Sequence, residues 1–220
     1  MAETGHFTSC ANPSDCWCEA KRYGQLVLIG AVIFTIEIIG NLLSGSLSLL
    51  ADALHVVVCN TSYAVAAFAA IAAKLQRVSK EKAEGGAFCV LAVGLLLTAL
   101  WILFEAMSRF KNPPEIASTL VIGTALIGGA LNHWQQRIHH KAPEEHRGHK
   151  HAAAGIHILS DKYQSFVVAG SGVGMLIASH WWSEWPRYID PAVSIVLACW
   201  LGWQVVVLGK DFLKEPEHHH

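Results

Sequence analysis

The sequence predicts an all-α polytopic membrane protein with six transmembrane helices and both termini cytoplasmic. Three observations carry this expectation: 53% hydrophobic against 15% charged residues, six long apolar stretches, and lysines and arginines that gather on one side of them. Apolar side chains in that proportion exceed what a single soluble core of 220 residues uses. A bilayer core about 30 Å thick takes roughly 20 mostly apolar residues per helix. The stretches 23–43, 47–73, 87–109, 116–137, 153–180 and 189–209 approach or exceed that length.

Residues 1–22 read as a cytoplasmic tail. The first twenty are polar and lack the apolar core of a cleavable signal peptide. The transmembrane domain is expected over 23–213, with a histidine-rich cytoplasmic loop at about 138–152, and 214–220 as a tail whose His218, His219 and His220 read as tag residue. The first two spans are separated only by Leu43, Ser44, Gly45 and Ser46, which makes them a tight helical hairpin. Cytoplasmic loops retain positive charge. With the amino terminus inside, Lys21, Arg22, Lys74, Arg77, Lys80, Lys82, Arg137, Lys141, Arg147, Lys150, Lys210 and Lys214 are all cytoplasmic, leaving Arg109, Lys111 and Arg187 outside. Trp181, Trp182 and Trp185 at the outer end of the fifth span, and Trp134 near the inner end of the fourth, fit interfacial anchors. Gly170, Gly172 and Gly174 allow close helix packing.

A net charge of -1 leaves no basic patch for nucleic acid. Cys10, Cys16 and Cys18 lie in the tail, and Cys59, Cys89 and Cys199 lie inside spans. A reducing cytoplasm keeps tail thiols free or metal-bound, so no disulfide is expected.

Ionisable groups inside spans cost several kcal/mol by insertion scales, so each is a functional candidate by default. The second span carries Asp52, His55 and Cys59, the fifth His157, Asp161 and Lys162, and the first and third Glu37 and Glu105. His55 and Cys59 are four apart, as are His157 and Asp161, and residues at that spacing share one helix face. Two such faces in contact make a site of two imidazoles, a carboxylate and a thiolate, a tetrahedral donor set that suits zinc. A dication with one carboxylate, one thiolate and two neutral imidazoles is neutral overall, which a low-dielectric interior tolerates. Protons on the histidines and thiol must leave as metal binds. Against this stands the bland reading: a histidine near a carboxylate is common on soluble helices, and a lone buried cysteine behaves as a small hydrophobe. Two matched pairs on two separate spans make coincidence the weaker account.

At these residues the chain resembles the cation diffusion facilitators, whose second and fifth spans each present a His/Asp-x-x-x-Asp pair. The run SLSLLADALH from Ser46 to His55, with Asp52 three residues before the histidine, looks like the second-span segment of the zinc-transporting branch. HILSDKYQS from His157 to Ser165 is similar to the fifth-span segment, and EAMSRFKNPPEI from Glu105 to Ile116 resembles the connection between spans three and four. Asn132 and Asp190-Pro191 fit as well. The resemblance covers roughly 23–213. It implies a secondary transporter that exports divalent transition-metal ions, zinc first and cadmium or others also, from the cytoplasm in exchange for protons, with no prosthetic group and no enzyme activity. It also implies metal ligands His55, Cys59, His157 and Asp161. A homodimer is expected, with the spans as one route to it, and compact size without a targeting segment fits a bacterial inner membrane.

Cys59 departs from the family's usual aspartate, and a thiolate favours soft ions such as zinc or cadmium over manganese or magnesium. The family's cytoplasmic carboxy-terminal domain is expected to be missing after Lys214, and dimerisation and sensing assigned to it are not carried over. Asp52 is a secondary metal candidate. His139, His140, His146, His149 and His151 resemble the histidine-rich loop of zinc-transporting members and suit either delivery of ions or a merely solvated loop. Glu37 suits the cavity wall or a bond across helices. Lys162 is expected to pair with Asp52 or Glu37 or to reach cytoplasmic water. His133 and His180 read as interfacial. Two rival functions are a membrane metal sensor or partner subunit without transport, and a bis-histidine haem protein between His55 and His157.

Overall fold

A computed structural model describes residues 18–74, 80–141 and 149–213. Six long helices account for nearly all of them: α1 (Cys18–Ser44), α2 (Leu47–Lys74), α3 (Lys80–Lys111), α4 (Ser118–His140), α5 (His149–Ala178) and α6 (Ile189–Leu213), with a short 3₁₀ turn at Trp185–Tyr188 before the last. No strand occurs among the described residues. α3 starts at Lys80, seven residues ahead of the apolar stretch, because Lys80–Glu84 continue the helix beyond the apolar run. α5 likewise starts at His149 and not 153.

Four helices are long and apolar enough to cross a membrane by length and composition alone, within Ala20–Ser44, Leu47–Val65, Phe88–Lys111 and Trp185–Lys210. α4 and α5 fall short of that measure because they carry the bundle's inward polar groups. Asn132, Gln135 and His139 on α4 and Ser160, Asp161, Gln164 and Ser165 on α5 are buried. Their outer faces stay apolar, with Leu126 and Ile127 on α4 and Phe166, Val167, Val173, Leu176 and Ile177 on α5 exposed. The rest of the bundle shows the same inversion of a soluble fold: Leu28, Ile39, Leu42, Leu97, Leu100, Phe104, Trp200 and Trp203 all face outward. A surface this apolar is stable only against lipid tails, where helices also satisfy their own backbone. Trp181, Trp182, Trp185 and Trp134 are exposed, as anchors at the membrane surface require.

α1, α2, α5 and α4 form a four-helix arrangement in which α2 meets α1 and α5, and α4 meets both α1 and α5. α3 and α6 pair with each other and flank it through α2 and α5. The short α1–α2 connection is possible because Gly45 takes φ +74, a left-handed conformation that ends a helix without a Cβ penalty. Gly45 N–H donates to Asn41 O at 2.7 Å, Asn41 Nδ2 to Ser46 O at 2.7 Å, and Ala117 N–H of the α3–α4 link to Ser44 O at 3.1 Å.

Asp190 at the start of α6 caps α2. Its Oδ1 accepts from Ser46 Oγ at 2.6 Å, Ser48 Oγ at 2.7 Å and Ser48 N–H at 3.2 Å, and its Oδ2 accepts from Leu47 N–H at 2.7 Å. The orphan amides of a helix N-terminus need such an acceptor, and a carboxylate also suits the positive end of the helix dipole. Arg109 of α3 completes the node, donating to Gly45 O at 2.6 Å and to Glu105 at 3.0 Å, with Asp190 Oδ2 4.0 Å away. Three helices and the hairpin turn are thereby locked together at one end.

Candidate metal centre

α2 rises about 1.5 Å per residue, so His55 and Cys59 stand roughly 12 and 18 Å along it from Leu47, well inside the apolar zone. Both point toward α5, where Asp161 meets them. His55 Nε2 and Asp161 Oδ1 are hydrogen-bonded at 2.6 Å, and Cys59 Sγ lies 3.5 Å from the same Nε2. The three donor atoms all fall within 4.8 Å of one another. His55 is 0% exposed, Cys59 3% and Asp161 3%, so bulk water reaches none of them in this conformation.

A tetrahedral zinc ion with bonds of about 2.0 to 2.3 Å sets its donor atoms roughly 3.2 to 3.7 Å apart. The Cys59–His55 separation already falls in that range, and the His55–Asp161 pair needs to open by less than about 1 Å. The proton between Nε2 and Oδ1 occupies the position such an ion would take. Binding must therefore displace a proton.

Of the sequence candidates, the fold brings His55, Cys59 and Asp161 together. His157 stands one helical turn before Asp161 in α5, but its side chain lies outside the described residues. The side chains of His149 and His151, and all of His146, also lie outside them. His139 is buried in the last turn of α4, and His140 beside it is exposed, their rings 6.3 Å apart. Asp52, wholly buried, stands apart from the triad: three residues before His55, it is rotated by about 60° and accepts from Ser165 Oγ at 2.9 Å. Glu37 of α1 is wholly buried and faces Asp52 across the α1–α2 contact.

Lys162 meets neither carboxylate. About 100° around α5 from Asp161, it turns toward α4, where Nζ donates to Gln136 Oε1 at 3.0 Å and lies 5.4 Å from the Tyr163 ring centre. Cys89 and Cys199 are exposed on the outer surface and take no part in the centre.

Three residues gain importance that sequence reasoning did not give them. Ser165, one turn after Asp161, links Asp52 to α5, and Asn132 Nδ2 of α4 donates to Ser165 Oγ at 3.2 Å. Tyr63, one turn after Cys59 toward Lys74, stacks on Tyr23 of α1 with ring centres 6.5 Å apart. The four-residue stripe His55, Cys59, Tyr63 was a readable signal for the last of these.

The cation efflux transmembrane domain family matches residues 26–214. Curated relatives include a cadmium, cobalt and zinc/H(+)-K(+) antiporter of Bacillus velezensis, 32% identical over 184 residues that are 79% of this chain and 56% of that protein. The zinc transporter ZitB of Pectobacterium atrosepticum is 31% identical over 205 residues, 89% of this chain and 61% of its own length. The metal cation efflux system protein CzcD of Cupriavidus metallidurans is 30% identical over 195 residues, 86% of this chain and 58% of its own. The chain thus spans a little under two thirds of the length of these relatives. Its apolar helices and bacterial relatives make it an integral, multi-pass protein of the bacterial inner membrane. The triad falls inside the matched span, and the chain belongs to the cation efflux family.

Proposed function

We propose that this chain exports divalent transition-metal ions, zinc foremost, from the cytoplasm in exchange for a monovalent counter-ion, protons first. The observation that carries this reading is the buried meeting of His55 and Cys59 on α2 with Asp161 on α5. A nitrogen, sulfur and oxygen donor set suits zinc and also cadmium. His157, one turn from Asp161, supplies the fourth ligand in this reading. The name of the Bacillus velezensis relative joins zinc, cadmium and cobalt to exchange for H⁺ and K⁺, and that of ZitB gives zinc alone.

In the proposed cycle the ion reaches the triad from the Lys74 side, once the Tyr23–Tyr63 stack parts. It displaces the His55 proton and leaves on the other side when α2 and α5 shift against their neighbours. Protons returning to His55 and Cys59 release it. Nothing in the cycle requires covalent chemistry. The termini are cytoplasmic in this scheme, and His139, His140, His146, His149 and His151 deliver ions to the entrance. Two copies associate through their lipid-facing spans.

The test is zinc flux into proteoliposomes under an imposed pH gradient, comparing the unaltered chain with His157→Ala, Asp161→Ala and Cys59→Ser. Proton-dependent flux that the α5 changes abolish supports the carrier. Stoichiometric zinc binding with no flux would instead make the chain a sensor or partner subunit.

A further inference from the structure

A second polar cluster lies beside the triad and is chemically unlike it. Glu37 of α1, Asp52 of α2, Asn132 of α4 and Ser165 of α5 contribute one side chain from each helix of the inner bundle, and all four are 0% exposed. Asn132 Nδ2 donates to Ser165 Oγ at 3.2 Å, and Ser165 Oγ donates to Asp52 Oδ2 at 2.9 Å while lying 3.2 Å from Asp161 O. Four buried oxygens remain with no hydrogen-bond donor among the described residues: Glu37 Oε1, Glu37 Oε2, Asp52 Oδ1 and Asn132 Oδ1. Glu37 and Asp52 also bond to one another, and the acceptors still bare around that contact, Asn132 Oδ1 among them, suit a positively charged occupant, since buried polar atoms are almost always partnered.

No described lysine or arginine supplies it. Lys162 is turned to Gln136, and Arg109 is held by Glu105 and Gly45 at the hairpin end. Gly128 lets the Glu37 carboxyl lie this close to α4: a Cβ there would collide with Glu37 Oε1 and stand 3.6 Å from Ser165 Oγ. A single shared proton would satisfy one oxygen of each carboxyl and leave the others bare. A larger cation coordinates them all. The donors are oxygen only, which favours hard ions over the soft ions that suit a thiolate and imidazole. Two carboxyls that share one proton carry a single net negative charge, which a monovalent cation neutralises in the low-dielectric interior.

We propose that Glu37, Asp52, Asn132 and Ser165 form a binding site for a monovalent alkali cation, separate from the metal triad and joined to it through Ser165. The proposal rests on the carrier reading in one respect: the alkali ion is then a counter-ion that exchanges with zinc.

Two measurements separate the site from that reading. Binding of radiolabelled rubidium, a potassium stand-in, is read on the purified full chain by equilibrium dialysis and needs no transport. Zinc flux is read in phosphatidylethanolamine–phosphatidylglycerol vesicles at equal pH on both sides, with potassium, sodium or choline opposite the zinc. We expect saturable rubidium binding and zinc flux stimulated by potassium or sodium over choline. Asn132→Leu and Gly128→Ala should each weaken rubidium binding about tenfold while zinc affinity, measured by calorimetry, changes less than about threefold. Rubidium binding without zinc flux in any buffer would keep the site and remove its role as a counter-ion site. Absence of rubidium binding in a chain that transports zinc equally well in choline would overturn the proposal and leave a shared proton in the cluster. Parallel loss of zinc and rubidium binding in both variants would also overturn it, since the cluster would then only support the triad.

Discussion

Beside the metal triad, two further buried polar nodes are built around aspartates among the described residues, and they are finished differently. At the hairpin end, Asp190 accepts four hydrogen bonds on two oxygens and has Arg109 nearby. Midway along the helices, Asp52 accepts one bond from Ser165 and faces Glu37, and the two carboxyls together with Asn132 keep four acceptors without donors. In lipid an unmet polar group cannot fall back on water. The saturated node fixes the relative positions of α2, α3 and α6, whereas the unsaturated one has acceptors to offer an ion. On the proposal above, saturation marks scaffold and its absence marks exchange.

The comparison breaks hardest at the triad. His55→Ala or Asp161→Ala should lower zinc affinity by at least about a hundredfold, since even changes behind the ligands cost 10- to 100-fold in metal sites. Circular dichroism and size-exclusion behaviour should hold, because neither side chain caps a helix. An affinity within threefold of the unaltered chain would remove the residue from the ligand set. At the scaffold node the effects exchange places. Asp190→Ala strands two serines and two α2 amides and should cost about 3 kcal/mol of stability, read as a lowered unfolding temperature in detergent. Zinc affinity of the protein that remains folded should stay within about threefold. A large loss of affinity with unchanged stability would show that the Asp190 node and the metal triad act as one.

Cys59→Ser sharpens the comparison without breaking either node. Oxygen replaces sulfur at nearly the same position, so cadmium affinity should fall about tenfold more than zinc affinity, competition between the two ions being the readout. Equal losses would mean that sulfur packs beside the site and does not bind the ion. That outcome is physically open because Cys59 also belongs to a buried apolar cluster with Leu26, Tyr63 and Ile158.

Much of the fold was legible because lipid imposes long apolar runs on any helix that crosses it. The helix starts at Lys80 and His149 were not, since the charged turns ahead of the membrane carry no hydropathy signal. α4 and α5 were legible by length more than by composition, their polar faces being turned inward. The pairing His55 with Cys59 followed from spacing on one helix. That α2 and α5 face one another depends on the rotation of each about its axis, which periodicity in one chain does not give, and the family resemblance supplied it. The same rotation hid the Glu37–Asp52 meeting and sent Lys162 to Gln136 and away from the carboxylates. Asp190 was visible only as part of an Asp-Pro pair, because its partners Ser46 and Ser48 lie more than 140 positions away in sequence.

The smallest effect tests whether the hairpin turn belongs to the scaffold by geometry or by bonding. Gly45 sits at φ +74, and a Cβ there would lie 3.5 Å from Glu115 O, an ordinary contact. Gly45→Ala therefore adds no clash and costs only the left-handed conformation, about 1 kcal/mol. The bonds from Gly45 N–H to Asn41 and from Arg109 to Gly45 O use backbone atoms that alanine keeps. Unfolding temperature should drop by a few degrees, with zinc affinity and flux unchanged. A drop as large as that of Asp190→Ala would mean that the α1–α2 turn cannot relax at all, and that hairpin geometry, more than the Asp190 cap, fixes the position of α2 against α6.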